Sequence, residues 1–91
     1  MKIVVTIPAY NEEKTIGAVI SQIHNVMKNN RYDHKILVVD DGSRDNTAEM
    51  AKKSGAIVYS HTKNYGLAET FKTEIKKALD LKADIIVHID A

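Results

Sequence analysis

The chain has 91 residues, a formal net charge of +1, and 44% hydrophobic residues. This length predicts one domain with enough apolar residues for a core, and the near balance of charge gives no reason to expect nucleic acid or an anionic membrane surface as a partner. The lack of cysteine excludes disulfides and thiolate metal sites. No apolar run approaches the roughly 18 residues of a membrane-spanning helix.

Strand and helix patterns alternate in the first half of the chain. Residues 3–7 are β-branched throughout, which predicts a strand that is buried on both faces and ended by Pro8. Asn11 is a favourable N-cap for a helix whose apolar residues recur at helical spacing over residues 16–27. Residues 36–39 are apolar and predict a second strand, and two adjacent carboxylates follow it directly.

The same alternation continues in the second half. Polar residues 43–46 predict the start of a short helix, and residues 57–59 predict a short third strand. A longer third helix is indicated by apolar residues at a spacing of four, namely Leu67, Phe71, Ile75 and Leu79. Residues 85–89 predict a fourth strand. We expect Tyr59 of the third strand and Phe71 of the third helix to lie in the core.

The order βαβαβαβ predicts an α/β fold, a Rossmann-like parallel sheet with right-handed crossovers and helices on both faces. The carboxyl ends of all four strands then lie along one edge, which is where ligands bind in open α/β sheets. That edge collects polar and aromatic residues: Tyr10, Asn11, Asp40, Asp41, His61, Lys63, Asn64 and Asp90. We therefore expect a functional site there.

Three carboxylates at this edge indicate a bound cation or a bound nucleoside. Asp40, Asp41 and Asp90 repel one another unless a positive group joins them, and Mg²⁺ binds one or two carboxylates together with phosphate oxygens. A nucleoside diphosphate would supply those oxygens. Carboxylates at strand ends also accept hydrogen bonds from ribose hydroxyls or base N–H groups. Lys63 suits a phosphate, and Tyr10 can stack on a base.

Other motifs narrow the choice of function. No Gly-x-Gly-x-x-Gly follows the first strand, which weakens a dinucleotide-binding interpretation, and the chain has neither a P-loop nor a Gly-x-Ser-x-Gly elbow. The alternative function is a phospho-acceptor receiver module, which also combines paired acids, Mg²⁺ and a later lysine. In receiver modules the pair follows the first strand and the acceptor follows the third. Here the pair follows the second strand, and the third ends in Ser60 and His61.

Four segments resemble the family 2 inverting glycosyltransferases with the GT-A fold, and they do so in the order and spacing of that family. They are Val5-Thr-Ile-Pro-Ala-Tyr-Asn-Glu-Glu13, Val38-Val-Asp-Asp-Gly-Ser-Arg-Asp-Asn-Thr47, Lys63-Asn-Tyr-Gly-Leu-Ala68 and Ile89-Asp-Ala91. The chain resembles in particular the dolichol-phosphate mannosyltransferases and related polyprenyl-phosphate glycosyltransferases. The resemblance implies a metal-dependent hexosyltransferase that uses a nucleotide-sugar donor.

The resemblance also implies a nucleotide pocket at the strand tips. The residues that it places along the pocket are Pro8, Ala9, Tyr10 and Glu12. Asp40 would contact the base, and Asp41 would contact the base or the ribose. Lys63 and Asn64 would lie near the nucleotide or help to shape its pocket. Asp90 would be the first acid of the family's Asp-x-Asp motif, which binds the ribose, the diphosphate and Mg²⁺ or Mn²⁺.

The second acid of that motif would be residue 92, and the chain ends at Ala91. We therefore expect residues 1–91 to be the N-terminal, donor-binding half of a GT-A domain, inactive alone, with no catalytic residue of its own. The donor would be a GDP- or UDP-sugar, and the acceptor a polyprenyl phosphate or a saccharide. We expect a cytoplasmic location, with membrane association only through parts absent from this chain.

Three further expectations concern the third helix and the fourth strand. Glu74 occupies a position where many relatives carry glycine, and we expect only a local effect on packing. His88 lies inside a strand, and we expect its ring to be satisfied by hydrogen bonds and not to form a metal pair with His61. The fourth strand leaves an apolar edge unpaired, and such edges pair with other chains. The resulting prediction is self-association through this edge of the sheet.

Overall fold

The computed structural model describes residues 1–90, in which four strands and three helices alternate strictly. In chain order they are β1 (Ile3–Ala9), α1 (Ile16–Asn29), β2 (His34–Asp40), α2 (Thr47–Lys53), β3 (Ile57–Ser60), α3 (Leu67–Asp80) and β4 (Ile85–His88). All four strands are parallel, and their order across the sheet is β3-β2-β1-β4. The predicted α/β fold with a parallel sheet is confirmed.

The helices cover both faces of the sheet. On one face, α1 and α2 pack over alternate residues of the two central strands, and Ile7, Ile16 and Ile20 are fully buried there. On the other face, Ala78 of α3 packs against a cluster that includes Val4. Because the two central strands are covered on both sides, β1 and β2 carry continuous apolar runs in place of an alternating pattern.

Pro8 does not end the first strand, contrary to the prediction. β1 continues to Ala9, and Pro8 is in register with Val39 of β2. Odd-numbered residues of β1 hydrogen-bond toward β2, whereas the even-numbered ones face β4, whose pairing with β1 ends at Thr6. Proline lacks a backbone donor, and at this position that donor would point beyond the end of β4. The missing N–H therefore breaks no bond of the sheet.

The prediction that Asn11 caps the first helix is also wrong. α1 begins at Ile16 with Thr15 as the preceding residue. Asn11 has a positive φ of 53°, a conformation that asparagine adopts more readily than most residues. Its side-chain Oδ1 accepts a hydrogen bond from the backbone N–H of Arg44 at 3.0 Å. The polar side chain thus joins two loops of the sheet edge and leaves the helix end uncapped.

The buried face of α3 is not the one that the apolar spacing predicts. The helix buries Thr70, Glu74 and Ala78, whereas Phe71 is 47% exposed and Leu79 is 57% exposed. Tyr59 of β3, also expected in the core, is 41% exposed, and Lys77 Nζ lies 4.3 Å from the centre of its ring. The small side chains at positions 70 and 78 let the helix lie close to the sheet, and the apolar stripe is turned toward solvent.

Candidate functional site

A pocket of about 480 Å³ opens at the carboxyl edge of the sheet. Its walls come from the end of β1 and the loop after it, the residue after β2, the segment that leads into α3 with the first turn of that helix, and the second residue after β4. The lining residues are Pro8, Ala9, Tyr10, Glu12, Asp41, Asn64, Gly66, Leu67, Thr70 and Asp90. This is the edge at which parallel α/β sheets bind their ligands.

Seven of the nine residues expected at the site line this pocket, and Asp40 and Lys63 do not. Three lining residues were not predicted, of which Gly66 and Leu67 fall inside the segment of residues 63–68 that resembles the family. Thr70 lies one turn further along α3, and its Oγ1 donates to the Gly66 carbonyl at 2.8 Å. The sequence carries no signal for Thr70, because the apolar spacing of α3 predicts a different buried face.

Asp40 lies beneath the pocket wall and ties two loops together. It is buried, and its Oδ1 accepts a hydrogen bond from the backbone N–H of Ser43 at 3.2 Å. Its Oδ2 accepts from the Ser60 hydroxyl at 3.2 Å. Asp40 therefore shapes the turn after β2 and fastens that turn to the end of β3.

Asp41 lines the pocket and organises the loop that precedes α3. Its Oδ1 accepts from the backbone N–H of Tyr65 at 2.9 Å and from His61 Nδ1 at 2.7 Å, and its Oδ2 accepts from the backbone N–H of Gly66 at 2.9 Å. Burial works to raise the pKa of this carboxyl, but these donors outweigh burial and hold the pKa below its ordinary value of 3.8. Asp41 is therefore ionised at neutral pH.

The loop after β1 donates hydrogen bonds to the loop after β2 and to the start of α2. The backbone N–H of Glu12 donates to Thr47 Oγ1 at 2.8 Å, and that of Asn11 donates to Ser43 Oγ at 2.8 Å. These bonds fix the loop after β1, which places Tyr10 at the rim of the pocket. The Tyr10 ring is half exposed, so one of its faces is available to a ligand.

Residues 63 and 64 approach the turn after β2 very closely. Gly42 has a φ of 75°, and a Cβ placed on it would lie 2.4 Å from the backbone carbonyl carbon of Lys63 and 2.8 Å from the backbone nitrogen of Asn64. Only glycine fits this contact. The Lys63 side chain leaves the pocket, and its Nζ lies 5.6 Å from the centre of the Tyr65 ring.

Asp90 follows β4, which is separated by β1 from β2 and the Asp41 that comes after it, and 82% of the Asp90 side chain is exposed. Its Oδ1 lies 3.0 Å from His88 Nε2, and His88 Nδ1 lies 2.7 Å from Oε1 of the buried Glu74. Burial works to lower the pKa of His88, but the hydrogen bond and charge of Glu74, followed by those of Asp90, raise it above 6.5. The prediction that hydrogen bonds satisfy the His88 ring is confirmed. Glu74, for which only a packing effect was expected, supplies one of these bonds.

A divalent cation fits Asp90 only as a ligand shared with other groups. Within residues 1–90, no cluster of three or more His, Cys, Asp or Glu side chains could hold a metal ion. Mg²⁺ commonly binds one or two carboxylates and takes its other ligands from phosphate oxygens and water. The exposed Asp90 carboxylate suits that arrangement. Ala91, which ends the Ile89-Asp-Ala91 motif, lies outside the described residues.

Comparisons with known proteins agree with this geometry. The chain is 47% identical over 90 residues to an uncharacterized protein of Methanocaldococcus jannaschii, which aligns 99% of the chain with 35% of that protein. It is 38% identical over 102 residues to the UDP-N-acetylglucosamine–dolichyl-phosphate N-acetylglucosaminyltransferase of Methanococcus voltae, with 93% of the chain and 39% of that enzyme aligned. The receiver-module alternative gains no support from these similarities.

A solved structure with the same fold is the glucosyl-3-phosphoglycerate synthase of Mycobacterium tuberculosis in complex with Mn²⁺, UDP-glucose and phosphoglyceric acid. It matches with a TM-score of 0.74 and 33% identity, over 98% of this chain and 32% of that one. Another crystal structure of that enzyme contains Mg²⁺ and UDP. The chain thus spans about a third of the length of these relatives. Residues 4–91 match the family model for glycosyl transferase family 2, and the chain therefore belongs to that family.

Proposed function

We propose that residues 1–91 form the donor-binding part of a glycosyltransferase and that the 480 Å³ pocket holds a nucleoside diphosphate sugar. The observation that carries this proposal is the placement of Tyr10, Asp41 and Asp90 around one pocket at the carboxyl edge of the sheet. The donor is a UDP- or GDP-sugar. UDP is favoured by the solved relatives, whose crystals contain UDP or UDP-glucose.

Each side of the pocket has a distinct task in this proposal. The half-exposed Tyr10 ring stacks on the base or packs against the nucleoside. Asp41 is held by donors from residues 61–66, and its Oδ2, which accepts one of those three hydrogen bonds, keeps a lone pair that accepts a hydrogen bond from base or ribose. Asp40 acts beneath the pocket by fixing the turn that presents Asp41. Asn64 contributes a polar wall, and Lys63 shapes the loop.

Asp90 binds the diphosphate end of the donor together with Mg²⁺ or Mn²⁺. When bound there, the cation supplies positive charge that stabilises a leaving diphosphate. The structure gives Asp90 one hydrogen-bonded oxygen and a largely exposed side chain, so that the second oxygen can coordinate. Glu12 also lines the pocket, and the hydrogen bond from its backbone N–H to Thr47 Oγ1 fixes its position.

This chain aligns with about a third of the length of the related glycosyltransferases. The acceptor site and the catalytic base lie in the remaining part of those enzymes. The acceptor is a polyprenyl phosphate, since one relative is named for transfer to dolichyl phosphate and another for transfer involving undecaprenyl phosphate. A saccharide acceptor is the alternative. Within residues 1–90, no helix is both long and apolar enough to span a lipid bilayer. Contact with a lipid acceptor would be made by the part of the enzyme outside the matched third.

Replacing Asp90 by asparagine is expected to weaken the metal-dependent binding of UDP or GDP by at least about tenfold, because a neutral amide is a poor ligand for Mg²⁺ or Mn²⁺. Isothermal titration of the chain with each nucleotide, with and without Mn²⁺, measures this effect. Asp80→Asn, at the exposed end of α3, removes the same charge and should bind as the unchanged chain does. If the unchanged chain binds neither nucleotide in Mn²⁺, the proposed function is wrong.

Self-association through β4 is a second expected property. β4 is an edge strand, and Ile85 and Val87 on it are partly exposed. We expect sedimentation velocity to show dimers or larger species that Val87→Lys converts to monomer, because a charge on an edge strand opposes strand pairing. Leu79→Lys replaces an exposed apolar residue on α3 and should leave association unchanged. A monomer at all concentrations would contradict the prediction.

A further inference from the structure

The most unusual group outside the pocket is the carboxylate of Glu74. Glu74 lies on the face of α3 that packs on the sheet and is 1% exposed. Burying a carboxylate is costly unless it is paired, and a buried pair rarely adds more stability than apolar residues of the same size would. Within residues 1–90, its hydrogen bond is the one to His88. Stability alone therefore gives a weak reason for this residue.

His88 connects this buried carboxylate to the rim of the pocket. Its Nδ1 lies 2.7 Å from Glu74 Oε1, and its Nε2 lies 3.0 Å from Asp90 Oδ1. Carboxylates accept hydrogen bonds and do not donate them, so the ring donates at both nitrogens. The ring of Phe71 packs edge-on against His88 with centroids 5.4 Å apart. Two residues of α3, Glu74 and Phe71, thereby restrict the orientation of the His88 ring.

Among the described residues, His88 makes the one hydrogen bond to the Asp90 side chain. β4 ends at His88, and within residues 1–90 the last backbone bond to β1 runs from the Ile89 N–H to the Thr6 carbonyl at 2.9 Å. The Asp90 side chain is 82% exposed, so packing does not restrict its rotamer. Its Oδ1 is fixed by His88, which leaves Oδ2 as the oxygen available to a ligand in the pocket.

We propose that Glu74 and His88 are positioning residues that orient the Asp90 carboxylate for the cation and the diphosphate of the donor. This inference rests on the proposed function for the role of Asp90. Hydrogen-bonded partners behind a metal ligand typically change metal affinity by roughly 10- to 100-fold when they are removed. The exposed carboxylate would otherwise sample several rotamers, and only some of them direct an oxygen into the pocket.

The direct test is the ¹³C resonance of the Asp90 carboxyl carbon, measured by NMR on chain labelled at aspartate and assigned with Asp90→Asn. Glu74→Met removes the buried carboxylate at nearly constant volume, and we expect the Asp90 resonance to move although the two side chains do not touch. Glu74→Gln keeps a polar partner for His88 Nδ1, and its resonance should return toward that of the unchanged chain. Glu69→Met, which removes an exposed carboxylate on the same helix, should leave the resonance in place.

Binding gives the functional readout. We expect Glu74→Met to weaken Mn²⁺-dependent UDP binding by about tenfold, to leave binding without Mn²⁺ unchanged, and to have no further effect once His88 is replaced by phenylalanine. Thermal unfolding of each variant checks that the fold persists. An Asp90 resonance that is unchanged in Glu74→Met overturns the positioning role even if the nucleotide binds. If the unchanged chain binds no nucleotide, the proposed function fails, while the resonance still decides whether Glu74 positions Asp90.

Discussion

Replacing Gly42 by alanine should lower the free energy of unfolding by roughly 2–5 kcal/mol, the sum of a left-handed backbone cost and a steric cost. The φ of 75° disfavours any Cβ, and the added carbon would lie 2.4 Å from the backbone of Lys63. A backbone atom cannot rotate away as a side chain does. The turn after β2 must therefore separate from the loop before α3, and urea denaturation monitored by circular dichroism measures the loss.

Gly66→Ala is the matched control for this prediction. Gly66 has a φ of 95°, but no atom lies within 4 Å of the position that its Cβ would occupy. Its ψ of 170° places it in a backbone region that is essentially confined to glycine, so Gly66→Ala bears only the backbone cost of about 1–3 kcal/mol. Equal losses for the two variants would show that the close approach of residues 42 and 63 is not a constraint on the fold. We also expect Gly42→Ala to weaken nucleotide binding, because the adjacent Asp41 lines the pocket.

Asp41→Asn should destabilise the chain by roughly 3 kcal/mol at neutral pH, because charge-assisted hydrogen bonds contribute about 1.5–3 kcal/mol and an amide cannot accept at both positions. The carboxylate accepts from Tyr65 N–H, Gly66 N–H and His61. The amide NH₂ group would face at least one of these donors. The loop before α3 would loosen, and nucleotide binding would fall with it.

The pH dependence of this effect follows from the lowered pKa of Asp41. The unfolded chain takes up the proton near the ordinary value of 3.8 and the folded chain only at lower pH, so the carboxylate contributes its full stability above that value. The difference in unfolding free energy between the unchanged chain and Asp41→Asn should shrink as the pH falls from about 5 through the folded pKa. A difference that stays constant over that range would contradict the assignment.

Asp40→Asn tests whether any buried carboxylate at this edge has the same effect. Asp40 is as buried as Asp41, but its two hydrogen bonds are longer, at 3.2 Å each. An amide can still accept from Ser43 N–H while its NH₂ group donates to the Ser60 hydroxyl. We therefore expect a loss of about 1 kcal/mol, measured by the same urea denaturation. A loss as large as that of Asp41→Asn would mean that burial, and not the donor set, determines the effect.

Local pattern was sufficient to predict the architecture and most of the pocket. β-branched runs identify strands that are covered on both faces, and helical spacing identifies α1. Alternation of strand and helix requires parallel strands, so the strand tips must meet at one edge. That rule alone brings Tyr10, Asp41 and Asp90 to the same pocket, although they are far apart in sequence. The family follows from the residues at those tips.

The three-dimensional arrangement was needed to decide which polar groups are free and which are engaged. Asp40 and Asp41 are adjacent in sequence, yet only Asp41 lines the pocket, because successive residues point to opposite sides at the end of a strand. The buried face of α3 depends on how closely small side chains let it approach the sheet, which hydrophobic spacing does not report. The same packing placed Glu74 against His88. Periodicity describes one segment at a time, whereas these contacts join segments that the fold alone brings together.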